Sequence, residues 1–242
     1  GKFGVITPST NTVVQPEYDA ICPAGVTTHI GRMHIPDDPI SSDEDFDELI
    51  RRIDVALEDA VKRVMTCKPD YFVLGISCES NWGGGLEKAQ EIVKRMEPLL
   101  NGVQVSQAAD ALPAALKAFG VKKKISVVTP YFPVAEPHIQ QFAADIGYEI
   151  VKTYHMSCKS PTLIAHTSED QCWEALRSVD SNEVEAIIQF GANLPFAAVA
   201  AEAEKRLKKP IVAVNVATIW HALRSFGIHD RIYGQGRLLW EY

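Results

Sequence analysis

The chain has 242 residues, 46% hydrophobic and 23% charged, with a formal net charge of −7. That balance is near the globular average and excludes an intrinsically disordered chain, and the Gly and Pro counts exclude collagen-like and low-complexity architectures. No apolar run approaches the ~18–20 residues that span a bilayer, no basic stripe marks a nucleic-acid surface and no signal-like segment opens the chain, so neither membrane nor nucleic acid is expected as a partner.

Short β-rich runs alternate with helical patterns. Lys2–Thr7 reads as a strand that ends in Pro8-Ser9-Thr10-Asn11, and Val13–Ile21 as a helix. Val26–Ile35 reads as a strand. Asp43–Met65 is a long amphipathic helix, since Phe46, Leu49, Ile50, Ile53, Leu57, Ala60, Val61 and Val64 recur at helical spacing. Asp43, Glu44, Asp45 and Asp47 suit the positive end of its dipole. Tyr71–Ile76 is a continuous apolar run, read as a buried strand that stops at Ser77-Cys78-Glu79-Ser80-Asn81.

The rhythm continues with helix Leu86–Leu100, strand Val103–Ser106 and helix Asp110–Phe119. Strand Ile125–Thr129, helix Val134–Ile146, strand Glu149–His155 and helix Glu169–Val179 follow. Strand Val184–Phe190, helix Phe196–Leu207, strand Ile211–Val214 and helix Thr218–Phe226 complete the series. Such alternation predicts an α/β fold with mostly parallel sheets flanked by helices. A weak repeat, Val5-Ile6-Thr7-Pro8 against Val127-Val128-Thr129-Pro130, implies two pseudo-symmetric halves. The expected division is 1–108 with 216–242 in the first half and 109–215 in the second, packed as one unit. Ligands of such folds sit beyond the carboxyl ends of the strands.

Those ends carry Ser9, Thr10, Asn11 and Thr12, then Ser77 to Asn81, then Tyr131, then Gly191-Ala192-Asn193. A helix start after Ser9–Thr12 suits a carboxylate or phosphate, and equally suits plain capping. Cys78, at a strand-to-helix turn, reads either as a nucleophile or as a packed thiol. Tyr131 suits an oxyanion donor or a packed aromatic. Glu79 is a base or a solvated loop charge. Arg32 and His34, on one strand face, read as a solvated edge in preference to an anion site. His221 reads as structural. Of the five cysteines, Cys22, Cys67, Cys158 and Cys172 read as structural. The odd count and the absence of CxxC argue against disulfides and zinc, and favour a reduced, cytoplasmic protein. The histidines lack metal-binding spacing, and Gly83-Gly84-Gly85 lacks the Lys-Ser/Thr of a phosphate loop, so no metal site is expected.

Thr7-Pro8-Ser9-Thr10-Asn11-Thr12, Gly75-Ile76-Ser77-Cys78, Val128-Thr129-Pro130-Tyr131 and Asn215-Val216-Ala217-Thr218-Ile219-Trp220 with Leu223-Arg224 together resemble the aspartate/glutamate racemase superfamily. The closest resemblance is to its maleate cis-trans isomerase and arylmalonate decarboxylase branch, over nearly the whole chain. The resemblance implies an active site between two halves, no metal or organic cofactor, and a homo-oligomer. It implies a first cysteine, matched by Cys78, that adds to a substrate double bond and gives an adduct whose C–C bond rotates. Asn11 and Tyr131 match positions that bind carboxylates. The family's second cysteine falls at Gly191, in a register anchored by Pro195.

With glycine there, a two-cysteine racemase is excluded. One thiol still serves covalent addition, protonation after CO2 loss, or attack on an amide or ester with Glu79 as base. The expected catalytic residues are therefore Cys78, Tyr131 and Glu79. The expected substrate-binding residues are Ser9, Thr10, Asn11, Ser80, Asn81, Gly191, Ala192 and Asn193. The expected activity is a cofactor-independent isomerase of a small (di)carboxylate, most like maleate isomerase. The alternatives are a decarboxylase of malonate-type acids or a C–N hydrolase, and a non-catalytic small-acid binder.

Overall fold

The computed structural model describes residues 1–77 and 85–242, and places their strands in two four-stranded parallel sheets. The first holds β1 (Lys2–Pro8), β2 (Thr27–Met33), β3 (Tyr71–Leu74) and β4 (Val105–Ser106), in the order β2-β1-β3-β4. The second holds β5 (Lys124–Thr129), β6 (Glu149–His155), β7 (Ala186–Gln189) and β8 (Ile211–Ala213), in the order β6-β5-β7-β8. The orders are the same, and Val5 pairs with Val73 as Val127 pairs with Ile188. The predicted α/β fold and its two similar halves are the observed ones. The central strands are mostly apolar because helices cover both faces of a parallel sheet; every residue of β3 and of β7 is buried, Gln189 included.

Helices α1 (Val14–Ile21), α2 (Asp43–Met65), α3 (Gly85–Leu100) and α4 (Ala108–Ala118) belong to the first part of the chain. Then come α5 (Glu136–Asp145), α6 (Pro161–Ala165), α7 (Glu169–Val179), α8 (Ala197–Leu207), α9 (Val214–Ser225) and α10 (Arg237–Glu241). Helix α2 spans the residues that its periodicity predicts. Ser42 and Asp45 close a reciprocal capping box at its start, a device worth about 1 kcal/mol. Its buried stripe is Phe46, Ile53, Leu57, Ala60, Val61 and Val64.

Some boundaries differ from expectation. Strand β8 stops at Ala213, and α9 begins at Val214, four residues before the predicted Thr218. Thr218 Oγ1 bonds the Val214 carbonyl one turn back, so Asn215-Val216-Ala217 is helical. Two short helices were not expected: α6, capped by Ser160 through the Leu163 N–H, and α10. Among the described residues no helix is long and apolar enough to cross a membrane.

Several contacts join the halves. Asp37, ahead of α2, accepts hydrogen bonds from the Thr162 N–H at 2.9 Å and hydroxyl at 2.5 Å at the start of α6. The Ile40 N–H donates to the Lys159 carbonyl at 2.6 Å. Helix α9 leaves the second sheet and packs on α4, β3 and β4, where the imidazole of His221 pairs with Ser106 Oγ at 2.7 Å.

Candidate active site

The carboxyl ends of β1, β3, β5 and β7 face one cleft, where ligands of such folds sit. Its polar rim is Thr10, Asn11, Ser77, Tyr131 and Asn193, with the Gly191-Ala192 backbone. One wall is apolar: Phe46, Leu49, Ile50 and Ile53 of α2, facing Ile35, Ile76 and Ile164. Among the described residues no charged side chain lines it. An anion held here meets neutral donors in a weakly polar surrounding, where each hydrogen bond counts for more than in water.

At the end of β1, the side chains divide their work. Ser9 Oγ accepts from the Ile35 N–H at 3.0 Å and donates to the Ile35 carbonyl at 3.1 Å. Ser9 thus braces the strand after β2 and is absent from the described lining of the cleft. Asn11 is 3% exposed and its Oδ1 accepts from the N–H groups of Val13 and Val14, at 3.0 and 2.9 Å. Of the two readings of this turn, capping is the one that Asn11 meets. Its oxygen caps α1, while its amide NH2 donates to no partner among the described residues, beside the cleft. Arg32, read from sequence as a solvated edge, donates to the Asn11 carbonyl at 2.6 Å and so steadies that turn. Only the tertiary structure brings those two residues together.

Ser77, the last described residue after β3, is 1% exposed. Its Oγ accepts from the N–H groups of Gly191 and Ala192, at 3.0 and 3.2 Å, and lies 3.1 Å from the Tyr131 hydroxyl. Either hydroxyl can be the donor in that pair. Tyr131 is 7% exposed and held edge-on by Phe46, ring centroids 5.2 Å apart. Its position follows from Thr129, whose Oγ1 accepts the Tyr131 N–H at 3.3 Å. Ser77, which immediately precedes Cys78, is not among the catalytic or substrate-binding residues expected from sequence.

Gly191 has φ +94°, and a Cβ there would stand 2.3 Å from Pro130 Cγ. The position that resemblance assigns to a second cysteine is thus built for glycine in two ways: backbone conformation and contact. The turn is held from within by Gln189, whose Nε2 donates to the Phe190 carbonyl and, at 2.9 Å, to the Gly191 carbonyl. Asn193, expected as a substrate contact, makes its observed bonds to other parts of the chain. Its Oδ1 accepts the Thr12 N–H at 3.0 Å, and its Nδ2 donates to the carbonyls of Pro161 at 2.8 Å and Thr10 at 3.3 Å. It lines the cleft but spends its polar atoms tying the two halves together.

Cys78, Glu79, Ser80 and Asn81 lie outside the described residues, as does the rest of 78–84. Three other thiols are poor nucleophiles by environment. Burial, helped by Asp19, pushes Cys22 up to about 11. Burial, helped by Cys158 and Glu169, pushes Cys172 up to about 12. Burial also raises Cys158. A thiol that stays protonated at neutral pH attacks slowly.

The arylmalonate decarboxylase family model matches residues 40–239. The chain belongs to the arylmalonate decarboxylase family. A maleate isomerase of Alcaligenes faecalis is 23% identical over 98% of this chain and 96% of its own length. A Nocardia farcinica maleate cis-trans isomerase, solved as a cysteine-to-serine variant with a covalently bound succinylcysteine intermediate, superposes with a TM-score of 0.87 at 21% identity, over 100% of this chain and 98% of that one. A liganded arylmalonate decarboxylase variant, one glycine replaced by cysteine and one cysteine by serine, has a TM-score of 0.80 at 18% identity, over 100% of this chain and 99% of that one. These likenesses establish the two-sheet fold and leave the chemistry to the site's own residues.

Proposed function

We propose that this protein is a cofactor-independent cysteine enzyme acting on a small dicarboxylate, of the maleate isomerase type, with Cys78 as the nucleophile. The observation that carries the reading is the convergence of Asn11, Ser77, Tyr131 and the Gly191-Ala192 N–H pair on one cleft at the residue before Cys78. In this reading the Asn11 amide and the Tyr131 hydroxyl hold carboxylate oxygens, and Thr10 adds a donor. The thiolate of Cys78 forms a C–S bond to one alkene carbon, and the electron pair passes into the adjacent carboxylate as an enediolate. The former double bond rotates, the C–S bond breaks, the pair returns to the C–C bond, and the trans acid leaves. Neutral donors fixed beforehand stabilise the enediolate without reorganisation. Glu79, Ser80 and Asn81 keep their assigned parts: base for Glu79, substrate contacts for the other two.

A second reading is favoured by the apolar wall of Phe46, Leu49, Ile50 and Ile53. A malonate bearing an apolar substituent would bury it there, and a single thiol would protonate the enediolate left by CO2 loss. The relatives' activities, maleate isomerisation and arylmalonate decarboxylation, support the two readings in that order. The division into 1–108 with 216–242 and 109–215 is part of the proposal, supported by α9 packing back on β3 and β4. So are a cytoplasmic location and a homo-oligomeric state, the latter checked by sedimentation. The test of function is proton NMR of maleate with the protein, beside C78A. Maleate turning to fumarate with the native protein alone is the expected result. Loss of CO2 from phenylmalonate with maleate untouched would select the second reading. Activity surviving in C78A would end both.

A further inference from the structure

Glu17 lies on α1 in the first half, yet both its carboxylate oxygens are used by the second. Oε1 accepts the Ala197 N–H at the start of α8 at 3.1 Å, and Oε2 accepts from Asn215 Nδ2 in the first turn of α9 at 2.7 Å. The same Asn215 Nδ2 donates to the Ala192 carbonyl at 2.9 Å. Ala192 in turn donates its N–H to Ser77 Oγ at 3.2 Å, beside the Gly191 N–H at 3.0 Å. An unbroken path of hydrogen bonds therefore joins Glu17 to the cleft. We propose that Glu17 is a positioning residue for the reaction: through Asn215 and the start of α8 it fixes the Gly191-Ala192 turn, and with it Ser77 and Tyr131. The inference rests on the cleft being the active site, as proposed above.

The chemistry of the carboxyl group supports a dependence on its charge. Ionised, it accepts on both oxygens. Protonated, it must point an O–H toward one of two donors and release it. Burial pushes its pKa up to about 7, against the hydrogen bonds from Asn215, Ala197 and Phe196 that favour the ionised form. The charged groups of the surrounding elements are committed elsewhere. On α1, Asp19 accepts from Thr28 of β2. Arg32 of β2 is held by the Asn11 carbonyl and Gln15. On α8, Glu202 pairs with Lys205 and Arg206, and Glu204 accepts the Arg237 N–H. On α9, His221 pairs with Ser106, and Arg224 donates to the carbonyls of Tyr242 and Ile228. The phenol of neighbouring Tyr18 is held protonated, by burial first and by the Glu17 charge second.

The experiment pairs two readouts on the native chain and on E17Q. One follows the backbone amide shifts of Gly191 and Ala192 with pH by nitrogen-15 NMR; the other follows kcat/KM for maleate over the same range. Expected for the native chain are amide shifts with a midpoint near pH 7 and a rate that rises through it. Expected for E17Q are amides that no longer titrate there, and a pH profile that loses that inflection, with kcat/KM about tenfold lower at its maximum. Native amides that ignore that pH range, or an E17Q rate and profile equal to native, would overturn the proposal. If native protein turns over neither maleate nor phenylmalonate, the functional reading fails, and the amide titration alone decides on Glu17. Should E17Q fail to fold, E17D takes its place: a displaced midpoint and a slower rate support the proposal, and native values of both contradict it.

Discussion

The two halves share a sheet order and a Thr-Pro strand end, yet furnish the cleft in different currencies. After β3 the first half presents a side chain, that of Ser77. After β7 the second half presents backbone, the N–H groups of Gly191 and Ala192, at a turn that Pro130 and a positive φ keep glycine-only. The strand ends next to them differ likewise. Thr129 Oγ1 accepts the Tyr131 N–H and sets the phenol, whereas Thr7 Oγ1 is buried with no partner among the described residues. A duplicated framework thus carries an asymmetric cleft: a serine side chain on one side, and on the other the backbone N–H groups that it accepts. A mirrored two-thiol mechanism is not what this geometry serves.

The largest break in that asymmetry is C78A, for which the proposed mechanism predicts a fall in turnover of roughly 10³-fold or more, since no other thiol lines the cleft among the described residues. Next is Y131F. It removes one preorganised donor and should lower kcat/KM roughly 10²-fold with little change in folding. An attempt to restore symmetry by G191C should fail. The strained backbone and the Pro130 clash together cost roughly 2–4 kcal/mol, and Tm should fall by roughly 5–15 °C, with no gain of racemase or isomerase activity. A G191C protein of native Tm would show that the turn adapts and the halves are more alike than they look.

Smaller effects sharpen the picture. N11D keeps the oxygen that caps α1 but replaces the NH2 donor with a carboxylate oxygen. It should raise KM for a dicarboxylate about tenfold or more, with stability nearly native. Glu17 gives the smallest and most gradual effect. Its folded pKa of about 7 lies above the ordinary 4.5 because burial penalises its charge. The stability it contributes is therefore whole below pH 4.5 and is lost as pH rises through about 7. Urea melts should show that decline, of about 1–3 kcal/mol, and E17Q should remove it.

How much of this is written in the chain differs from place to place. Helix α2 is legible because a long stripe at helical spacing meets Ser42 and an acidic first turn, local signals that agree. The start of α9 is not, because Asn215-Val216-Ala217 continues the β8 pattern as well as it opens a helix, and only packing on α4 decides. Helix α6 is five residues long, too short to show a periodicity that would mark it in the sequence. Asn11 and Tyr131 stand at strand ends, where ligands of such folds gather, so pattern alone singles them out as candidates, and both line the cleft. Ser9 and Asn193 look the same in sequence, but their polar atoms are taken by Ile35, Thr12, Thr10 and Pro161, partners that only the fold supplies. The glycine requirement at 191 depends on Pro130, from another strand, and Arg32 serves the Asn11 turn from β2.

The most direct test of a one-thiol site is to trap the protein during turnover of maleate, digest it and weigh the peptides. The account predicts one maleate's mass on the peptide that carries Cys78, and unmodified Cys22, Cys67, Cys158 and Cys172. Turnover with the mass on any other cysteine, or turnover that persists in C78A, would contradict it.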